Sequence, residues 1–434
     1  MKLHGWGRYP TIEADAPWFE TADQAAELAA RPGRWIAHGL GKSYGDSALS
    51  PRVLMTHRYN KLLDFDPQQG VVTCESGVTL AELIAVFLPR GWFLTVTPGT
   101  KLITVGGAIA SDVHGKNHHG AGCFSAAVIS LRLMLPDGRT LQCSASENPD
   151  LFRATCGGMG LTGLILDATL QLQPVHSAYI RETVIRCRNL EEGFEQFESN
   201  RHIDYSVAWI DCLATGDDLG RSILMLGEHH DDGRLVPPRI RPASVPVECP
   251  NFLLNHWSVA LFNRLYYHTH PSRVMKRPTS IDAFFFPLDR IAHWNRLYGP
   301  RGFTQYQFVL PKAASFEGLR HILHKIAVSG IGSFLAVLKL LGPQNENPLS
   351  FPMEGYTLAL DFKIQPRLFP LMEELDRMVL DHGGRLYLAK DVRMSRKTFQ
   401  TGYPRWEAFA ALRNQSGLGD KINSLQAERL GLSS

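Results

Sequence analysis

Apolar and polar positions follow one pattern before residue 177 of the 434-residue chain and another pattern after it. Before it, short apolar runs between glycine-rich turns predict strands, with two helical segments among them. After it, helical segments alternate with runs in which polar and apolar residues alternate, as in strands. The predicted strands are 71–74, 127–135, 164–172, 304–310, 334–341 and 356–362; the predicted helices are 21–30 and 79–88, with Thr21 and Thr79 as N-caps, and 190–199, 315–327 and 368–380. The pattern predicts an α+β chain with a domain boundary after residue 176.

Three of the later strands carry polar residues on one face. These residues are Gln305 and Gln307 in the first strand, Lys339 in the second, and Thr357 and Asp361, with Ala359 between them, in the third. Because successive side chains of a strand point to opposite faces, they can line one face while apolar neighbours pack against helices. The pattern therefore predicts an antiparallel sheet that roofs a substrate cavity.

Two glycine-rich segments, 34–46 and 98–119, lie in the first third of the chain. Glycine lets the backbone approach a ligand closely and exposes N–H donors, which suits a phosphate or a flat cofactor. The first segment has the spacing G-x-G-x-x-x-G, which is neither the dinucleotide fingerprint nor a Walker loop. Each segment alone is compatible with an ordinary turn. Because two such segments are each followed by polar residues, we expect a cofactor-dependent enzyme.

Composition argues against several classes of protein. The net charge of +3 and the lack of a long basic run argue against nucleic-acid binding. The seven scattered cysteines form no C-x-x-C pair, which predicts reduced thiols and no disulfide or zinc framework. Residues 1–10 lack an apolar core, and Lys339 interrupts the longest apolar stretch, 334–341, so we expect no signal peptide or transmembrane helix. The expected location is the cytoplasm or the surface of the inner membrane.

Together with later motifs, the glycine-rich segments resemble the FAD-binding fold of the vanillyl-alcohol-oxidase type, and within it the decaprenylphosphoryl-β-D-ribose 2-oxidase family. The stretches that carry the resemblance are 39–46, 98–119, 157–163, 306–311, 339–343 and 383–391. The resemblance runs along nearly the whole chain. It implies a two-domain α+β protein in which residues 1–176 and 385–434 form the FAD-binding domain and residues 177–384 form an antiparallel-sheet substrate domain.

The resemblance implies that FAD lies against both glycine-rich segments and against single residues of later strands. The implied cofactor-binding residues are Ala37, Gly39, Leu40, Gly41, Lys42, Ser43, Tyr44, Gly45, Asp46, Gly99, Thr104, Val105, Gly106, Gly107, His114, Gly115, Asn117, Ile165 and Tyr387. Some members of this fold tether FAD through a histidine in the first segment, where this chain has Lys42. Because a lysine cannot form that bond, we expect non-covalent FAD.

Lys390 is the first candidate for a catalytic residue, on a predicted strand that also carries Tyr387 and Asp391. A lysine near a cofactor loses solvation, which moves its pKa toward the range useful for proton transfer. The structural alternative is an ion pair of Lys390 with Asp391 or Asp361 on a solvated strand. The resemblance favours the catalytic interpretation, because the family's active-site lysine matches this position.

His114 is the second catalytic candidate, as a base or as a contact to substrate hydroxyls. Without context, a lone histidine is more often a hydrogen-bonded structural residue. The spacing of His114 and His118 also suits a metal site, but Gly115 and Gly120 disfavour a helix there and no carboxylate supplies a third ligand, so we expect no metal. The His-His-Asp-Asp run at 229–232 is similarly interpreted as a solvated loop.

The substrate-binding residues that the resemblance implies are Lys116, Gln305, Gln307, Lys339, Thr357 and Asp361. Lys339 is the most informative of them, because a buried unpaired ammonium is costly. Three positions depart from the best-known pattern of the family, with Ala359 in place of a cysteine, Thr357 in place of an asparagine and Phe285 in place of a tyrosine. These departures leave the fold unaffected and leave the exact sugar or lipid open.

The function that the resemblance implies is oxidation of the 2-hydroxyl of a polyprenyl-phosphoryl β-D-ribofuranose to the 2-keto sugar, with FAD as cofactor. This is the first half of an epimerisation to the arabinose donor, which a nicotinamide-dependent reductase completes. The alternative is a soluble alditol or aldonolactone oxidase of the same fold that uses oxygen. A flavin-binding module without turnover is a third hypothesis, which the retention of Lys390, His114 and Gln307 disfavours.

The segment 233–279 begins with prolines, continues with aromatic and apolar residues and ends with basic ones. The prolines are Pro237, Pro238, Pro242, Pro246 and Pro250, the apolar residues run from Phe252 to Tyr267, and the basic residues are Arg273, Lys276 and Arg277. This composition suits a mobile lid that meets a lipid surface with anionic head groups. The alternative is a helix packed on the second domain with a solvated basic end.

Overall fold

The computed structural model describes residues 1–238, 243–250, 252–270, 274–415, 417–419 and 421–433. The strands are β1 (Lys2–His4), β2 (Thr11–Glu13), β3 (Ile36–His38), β4 (Val53–Met55), β5 (Leu62–Asp66), β6 (Val71–Glu75), β7 (Trp92–Leu94), β8 (Val128–Met134), β9 (Thr140–Ser144), β10 (Leu164–Pro174), β11 (Tyr179–Cys187), β12 (Tyr205–Ile210), β13 (Ser222–His229), β14 (Ala243–Ser244), β15 (Met275–Ser280), β16 (Ile291–Ala292), β17 (Phe303–Pro311), β18 (Ala336–Leu341), β19 (Gly355–Lys363) and β20 (Arg385–Leu386). The α-helices are α1 (Ala22–Ala30), α2 (Leu80–Phe87), α3 (Val105–Ala110), α4 (His118–Ala121), α5 (Pro149–Thr155), α6 (Leu190–Ser199), α7 (His256–Thr269), α8 (Ile281–Phe285), α9 (Lys312–Ser329), α10 (Leu368–Asp381), α11 (Arg396–Gly402), α12 (Trp406–Gln415) and α13 (Leu425–Leu430). Short 3-10 turns lie at Leu88–Arg90, Phe124–Ala127, Gly216–Asp218, Pro287–Arg290, Trp294–Tyr298 and Leu388–Lys390.

A first sheet is built from strands between residues 62 and 174. Its strand order is β5-β6-β10-β8-β9, with β7 also paired to β10, and every pair is antiparallel. β10 is central, and its residues 164–168 are all buried. The one carboxylate in that run, Asp167, accepts a hydrogen bond from Arg132 Nε on β8 at 2.7 Å, which compensates its desolvation.

A second, eight-stranded sheet among the described residues has the order β15-β11-β13-β12-β18-β19-β17-β20 and is antiparallel throughout. This confirms the predicted antiparallel sheet. The cross-strand neighbours on its polar face are Gln305 and Asp361, Gln307 and Ala359, and Lys339 and Thr357. The alternating Tyr306 lies on the other face, where its hydroxyl donates to Asp376 of α10 at 3.0 Å.

The five predicted helices are all present, as α1, α2, α6, α9 and α10, and the described residues form eight further helices outside the predicted ranges. The side chain of Thr21 accepts the Gln24 N–H at the start of α1, and Thr79 forms a reciprocal capping box with Glu82 at the start of α2. Helix α9 is longer than predicted at both ends, and it buries its predicted apolar face, which includes Leu319 and Leu323. Both predicted N-caps are therefore confirmed.

Two predicted strands differ from the structure. β18 begins at Ala336, two residues later than predicted. The predicted strand through Tyr387, Lys390 and Asp391 is wrong, because β20 ends at Leu386 and a 3-10 turn follows. The Tyr387 N–H donates to the Gln307 carbonyl at 2.9 Å, and the Lys390 N–H then donates back to the Tyr387 carbonyl at 3.0 Å, which reverses the chain.

One hydrophobic cluster extends through both sheets. The predicted boundary at residue 176 falls between β10 and β11, whereas β20, just after the boundary predicted at 384, pairs with β17 of the second sheet. The C-terminal tail returns to the first region, where the Trp35 N–H donates to the Lys421 carbonyl and the Asn423 N–H donates to the Trp35 carbonyl. The predicted bounds of the domains remain a prediction.

The segment 233–279 is described in part, because Pro242 and Arg273 lie outside the described residues. Its helix α7 packs one face inward through Val259, Asn263 and Tyr267, as the packed-helix alternative predicted. The last part of the segment is not a lid, since β15 forms the edge of the second sheet next to β11. No helix in the described part of the chain is long and apolar enough to cross a membrane.

Candidate active site

The polar face of the second sheet meets both glycine-rich segments. Gln305 Nε2 donates to the hydroxyl of Tyr44, in the first segment, at 3.3 Å. Gln307 Nε2 donates to Nε2 of His114, in the second segment, at 3.2 Å. Residues predicted from three distant parts of the sequence therefore lie together.

Lys390 lies at the same place, with its nitrogen 4.1 Å from the centre of the Tyr44 ring. One of its two predicted ion-pair partners, Asp391, instead binds Arg429 at 2.8 Å. Within the described residues, no carboxylate oxygen lies within 4.0 Å of the Lys390 nitrogen, Asp361 included. Burial lowers the pKa of Lys390 to about 8; the Asp361 carboxylate opposes this change and the Lys339 ammonium adds to it. The ion pair of the structural alternative is therefore not formed.

Asp361 is a buried carboxylate on β19 whose two oxygens differ. Oδ1 accepts a hydrogen bond from Gln305 Nε2 at 2.5 Å. Oδ2 faces the hydroxyl of Tyr298. Neither of these two atoms makes a hydrogen bond of normal geometry with a described residue. Burial raises the pKa of Asp361 to about 7.

His114 is buried and held by a chain of hydrogen bonds. Gln307 Nε2 donates both to its Nε2 and to the hydroxyl of Thr357, and that hydroxyl donates to the Phe308 carbonyl at 2.7 Å. Because Nε2 accepts, the proton sits on Nδ1, which has no partner among the described residues. Burial holds the pKa of His114 well below its usual value of 6.5, and the Lys339 ammonium lowers it further. His114 is therefore a neutral ring with a free N–H.

Two further lysines lie close to this group. Burial lowers the pKa of Lys116 to about 7 and that of Lys339 to about 8. The Lys116 nitrogen donates to the Phe284 carbonyl and lies 4.2 Å from the centre of the Phe284 ring. The Lys339 ammonium makes no ion pair or hydrogen bond with a described residue. The site thus offers positive charge in a poorly solvated place.

The three positions that depart from the family pattern lie near the same place. Thr357 and Ala359 are buried on the polar face of the sheet, where Thr357 takes part in the His114 hydrogen-bond chain. Phe285 is buried against Phe93 and Tyr205, with ring centres 5.6 and 4.8 Å away.

The first glycine-rich segment presents backbone donors. In the described residues, the N–H groups of 39–43 donate to no protein acceptor. A Cβ on Gly45 would lie 1.8 Å from the Asp391 carbonyl oxygen, so only glycine allows this approach to the tail. Asp46 strengthens the same junction through an ion pair with Arg429 at 2.8 Å. Lys42, at the possible tether position, lies with its nitrogen 3.6 Å from the centre of the Trp6 ring.

The second glycine-rich segment is built around α3. The side chain of Thr104 caps this helix by accepting the Gly107 N–H at 3.1 Å, and Gly106 lies against Ser76, where a Cβ would clash. Asn117 donates to the Thr95 carbonyl, but its Oδ1 has no described partner. Two other predicted cofactor residues lie in the same segment: Gly99 has open space beside it, and Gly115 lies against the Thr97 carbonyl. The remaining ones lie elsewhere, with Ala37 in β3 and Ile165 buried in β10. The hydroxyl of Tyr387 donates to the Ser111 carbonyl at 3.0 Å.

A further cluster is centred on the buried Asp112, and no sequence motif indicates it. Its Oδ2 accepts from Asn345, Asn347 and Ser350 at 2.7, 2.9 and 2.6 Å. Asp112 has a left-handed backbone with φ 39°, which is rare for a residue other than glycine. These bonds join the second glycine-rich segment to the loop between β18 and β19.

The described residues offer no cluster of candidate metal ligands. Among the described residues, no group of three or more His, Cys, Asp or Glu side chains could hold a metal ion. Contrary to the sequence prediction, α4 begins at His118 in spite of Gly120, but His114 lies before this helix. The interpretation of 229–232 as a solvated loop is wrong for His229, which ends β13 and hydrogen-bonds to the Tyr205 hydroxyl at 3.1 Å.

These features fit FAD. Its pyrophosphate needs backbone N–H donors, and its flat ring needs hydrogen-bonding partners at its edges. The free amides of 39–43 supply the first requirement. The second is met by buried polar atoms without a described partner, such as Asn117 Oδ1. When bound, FAD would accept a hydride from a substrate held under the polar face of the sheet.

Comparisons with known proteins agree with this geometry. Residues 20–144, which include both glycine-rich segments, match the FAD binding domain family. The chain is 37% identical to decaprenylphosphoryl-β-D-ribose oxidase of Mycolicibacterium smegmatis over 458 residues, which cover 99% of this chain and 97% of that protein. It is 31% identical to an uncharacterized protein in the mprA 5′ region of Streptomyces coelicolor, over 82% of this chain and 100% of that protein.

A third similarity is shorter. L-gulonolactone oxidase of Mus musculus is 36% identical over 140 residues, or 31% of each chain. The cofactor is therefore FAD, and the fold is the two-domain α+β fold of the vanillyl-alcohol-oxidase type. Since the match to the Mycolicibacterium smegmatis protein covers nearly the whole of both chains, this protein belongs to the decaprenylphosphoryl-β-D-ribose oxidase family of FAD-dependent oxidoreductases.

Proposed function

We propose that this protein oxidises the 2-hydroxyl of a polyprenyl-phosphoryl β-D-ribofuranose to the 2-keto sugar, as the first half of an epimerisation to an arabinose donor. The observation that carries the proposal is the match to a decaprenylphosphoryl-β-D-ribose oxidase over 99% of the chain. This match includes the polar sheet face as well as the FAD-binding region. A match confined to the FAD-binding region would leave the substrate open.

Lys390 receives the hydroxyl proton in this proposal. Its pKa of about 8 leaves part of the population as free amine near neutral pH, which a general base requires. His114 donates from Nδ1 to a sugar oxygen, with its tautomer fixed by Gln307. Lys116 and Lys339 bind anionic or hydroxyl groups of the substrate, and Gln305, Gln307, Thr357 and Asp361 orient the sugar.

An anaerobic stopped-flow experiment tests this function. The purified holoenzyme is mixed with polyprenyl-phosphoryl ribose, free ribose, an alditol or an aldonolactone, and bleaching of the flavin absorbance is followed. The proposal expects fast bleaching with the lipid-linked sugar and little with the others. Faster bleaching with the alditol or aldonolactone would favour the alternative, a soluble oxidase that uses oxygen.

We also propose that FAD is held without a covalent bond. The support is Lys42 at the tether position, with its ammonium on the Trp6 ring. Denaturation in acid should release all flavin into the supernatant, where its absorbance is measured. Flavin that remains in the protein pellet would contradict the proposal.

The surface of α7 supports a contact with a lipid layer, as the polyprenyl chain of the substrate requires. Trp257, Leu261 and Leu265 recur every four residues on its outer face and are 80%, 59% and 57% exposed. Substitution of all three by serine should abolish flotation with anionic vesicles and leave FAD bound. Val328→Ser is the matched control, since Val328 is 69% exposed at the end of another helix. Unchanged flotation of the triple variant would exclude this contact.

The keto product requires a second enzyme under this proposal. A nicotinamide-dependent reductase would reduce the 2-keto group from the opposite face and complete the epimerisation. The support is the family membership alone. Conversion of lipid-linked ribose to arabinose only when such a reductase and its reduced nicotinamide cofactor are added would test this step.

A further inference from the structure

The Asp361 carboxylate raises the pKa of Lys390 and the Lys390 ammonium lowers the pKa of Asp361, yet the two described side chains form no ion pair within 4.0 Å. Asp361 is 1% exposed on β19, and Lys390 is partly exposed in the turn after β20. A buried carboxylate without a direct ion pair is costly. Packing alone therefore does not explain why a carboxylate is buried at this position.

Gln305 connects the two groups. Its Nε2 donates to Asp361 Oδ1 at 2.5 Å and to the Tyr44 hydroxyl at 3.3 Å, and the Lys390 nitrogen lies over the ring of that same Tyr44. The carboxylate, the amide and the ring thus form one hydrogen-bonded unit beneath the ammonium. Asp361 Oδ2 remains without a completed hydrogen bond.

The charged groups around Lys390 identify what acts on it. Lys339, from β18, disfavours its ammonium form, whereas Asp361 favours it. Asp391 forms an ion pair with Arg429. Tyr44, Tyr298 and His114 are neutral near pH 7, because burial raises the pKa of both tyrosines and lowers the pKa of His114. The attraction on Lys390 therefore comes from Asp361.

We propose that Asp361 is a positioning residue that holds the Lys390 amine toward the substrate hydroxyl and stabilises the ammonium formed when Lys390 accepts the hydroxyl proton. This inference rests on the proposed function, because it deepens the proton step of that reaction. The O–H bond of the substrate breaks and an N–H bond forms on Lys390. The electron pair of the O–H bond forms the new C=O bond as the C2–H bond breaks, and bound FAD would take up the hydride. The new positive charge is balanced by the Asp361 carboxylate.

The sign of the expected pH effect follows from these charges. The carboxylate raises the pKa of Lys390 above the value that burial alone would give. Asp361→Asn removes that attraction and keeps the size of the side chain. The pKa of Lys390 should then fall by about one to three units, the range typical for the loss of a nearby opposite charge. The pH at which reduction is half-maximal should fall with it, and the maximal rate should drop about tenfold or more.

Two measurements on the holoenzyme test the proposal. Competitive labelling with acetic anhydride across a pH series, followed by peptide mass spectrometry, gives the titration midpoint of Lys390 without any substrate. Stopped-flow flavin reduction across the same series gives the midpoint of the rate. We expect both midpoints to move downward in Asp361→Asn. Gln305→Leu gives a second variant, in which the carboxylate remains but loses its hydrogen bond, and a smaller downward shift is expected.

Asp376→Asn is the matched control, since Asp376 is also a buried carboxylate but lies on the other face of the sheet with Tyr306 and Arg393. It should leave both midpoints unchanged even if it lowers stability. A labelling midpoint of Lys390 that is the same in Asp361→Asn as in wild type overturns the proposal. If the labelling midpoint moves while lipid-linked ribose is not oxidised, the proposed substrate is wrong and the influence of Asp361 on Lys390 stands.

Discussion

The two sheets contribute to the site in different ways. The region around the first sheet offers backbone N–H groups of residues 39–43 and glycines that allow close approach. The second sheet offers side chains, such as Gln305, Gln307 and Asp361, fixed by the register of neighbouring strands. The surface offered by the first region therefore depends on the path of the backbone, and the surface offered by the second sheet depends on the identity of single side chains.

This difference has a chemical basis. A cofactor with a pyrophosphate is recognised by N–H groups that any residue possesses, so its site depends on turns and on the absence of Cβ atoms. A substrate with several hydroxyls is recognised by side-chain donors and acceptors in fixed positions. Substitutions on the polar sheet face should therefore change catalysis or specificity, while substitutions that add atoms to the glycine loops should change cofactor binding and stability.

The largest effect is expected for Lys390→Ala. This variant should keep FAD and lose flavin reduction by about two to four decades, the contribution typical of a positioned base. Lys312→Ala is the control, because Lys312 forms a surface ion pair with Glu198 at 2.9 Å. Stopped-flow reduction measures the rate. A near wild-type rate in Lys390→Ala would show that Lys390 has a structural role only. His114→Ala should lose less in the same measurement, since the proposed role of its neutral ring is to orient the sugar.

An intermediate effect is expected for Gly45→Ala. Its Cβ would meet the Asp391 carbonyl oxygen at 1.8 Å, and such overpacking costs about 1–3 kcal/mol. We expect a lower melting temperature and weaker retention of FAD on gel filtration. At Gly120 a Cβ meets nothing within 4 Å, so Gly120→Ala should change stability by less than about 0.5 kcal/mol. If Gly45→Ala and Gly120→Ala have the same melting temperature and retain FAD equally well, close backbone approach at Gly45 is not what the first region depends on.

The smallest effect is expected for Thr357→Val. The variant keeps the shape of the side chain but removes the acceptor for Gln307 and the donor to the Phe308 carbonyl. The loss should be about 1 kcal/mol, or roughly fivefold in kcat/KM, with FAD content unchanged. Thr357→Ser should retain most activity. A fall in FAD content of the valine variant, measured by absorbance, would show that the two surfaces are not separate.

Sequence patterns predicted the regular elements better than the connections between them. Thr79 caps α2 as predicted, and Tyr306 and Gln307 lie on opposite faces as alternation requires. These features follow from local rules that few tertiary contacts oppose. The turn at Lys390 could not be predicted, because it depends on where β20 loses its partner β17.

Contacts between residues that are distant in the sequence could not be predicted either. Trp6 and Tyr298 carry no motif, yet Trp6 lies under Lys42 and Tyr298 faces Asp361. The bond between Gln307 and His114 joins residues 193 positions apart. Periodicity identifies the face on which a residue lies but not the residue that it meets.

The Asp112 cluster has a consequence for how the chain folds. The three side chains that bond its Oδ2 lie 233 to 238 residues later in the sequence. During synthesis, this buried carboxylate emerges long before Asn345 and Ser350 exist to satisfy it. Contacts of such high sequence separation slow folding, because a long loop must close before they form. The cofactor-binding region therefore reaches its final form only after most of the chain has left the ribosome.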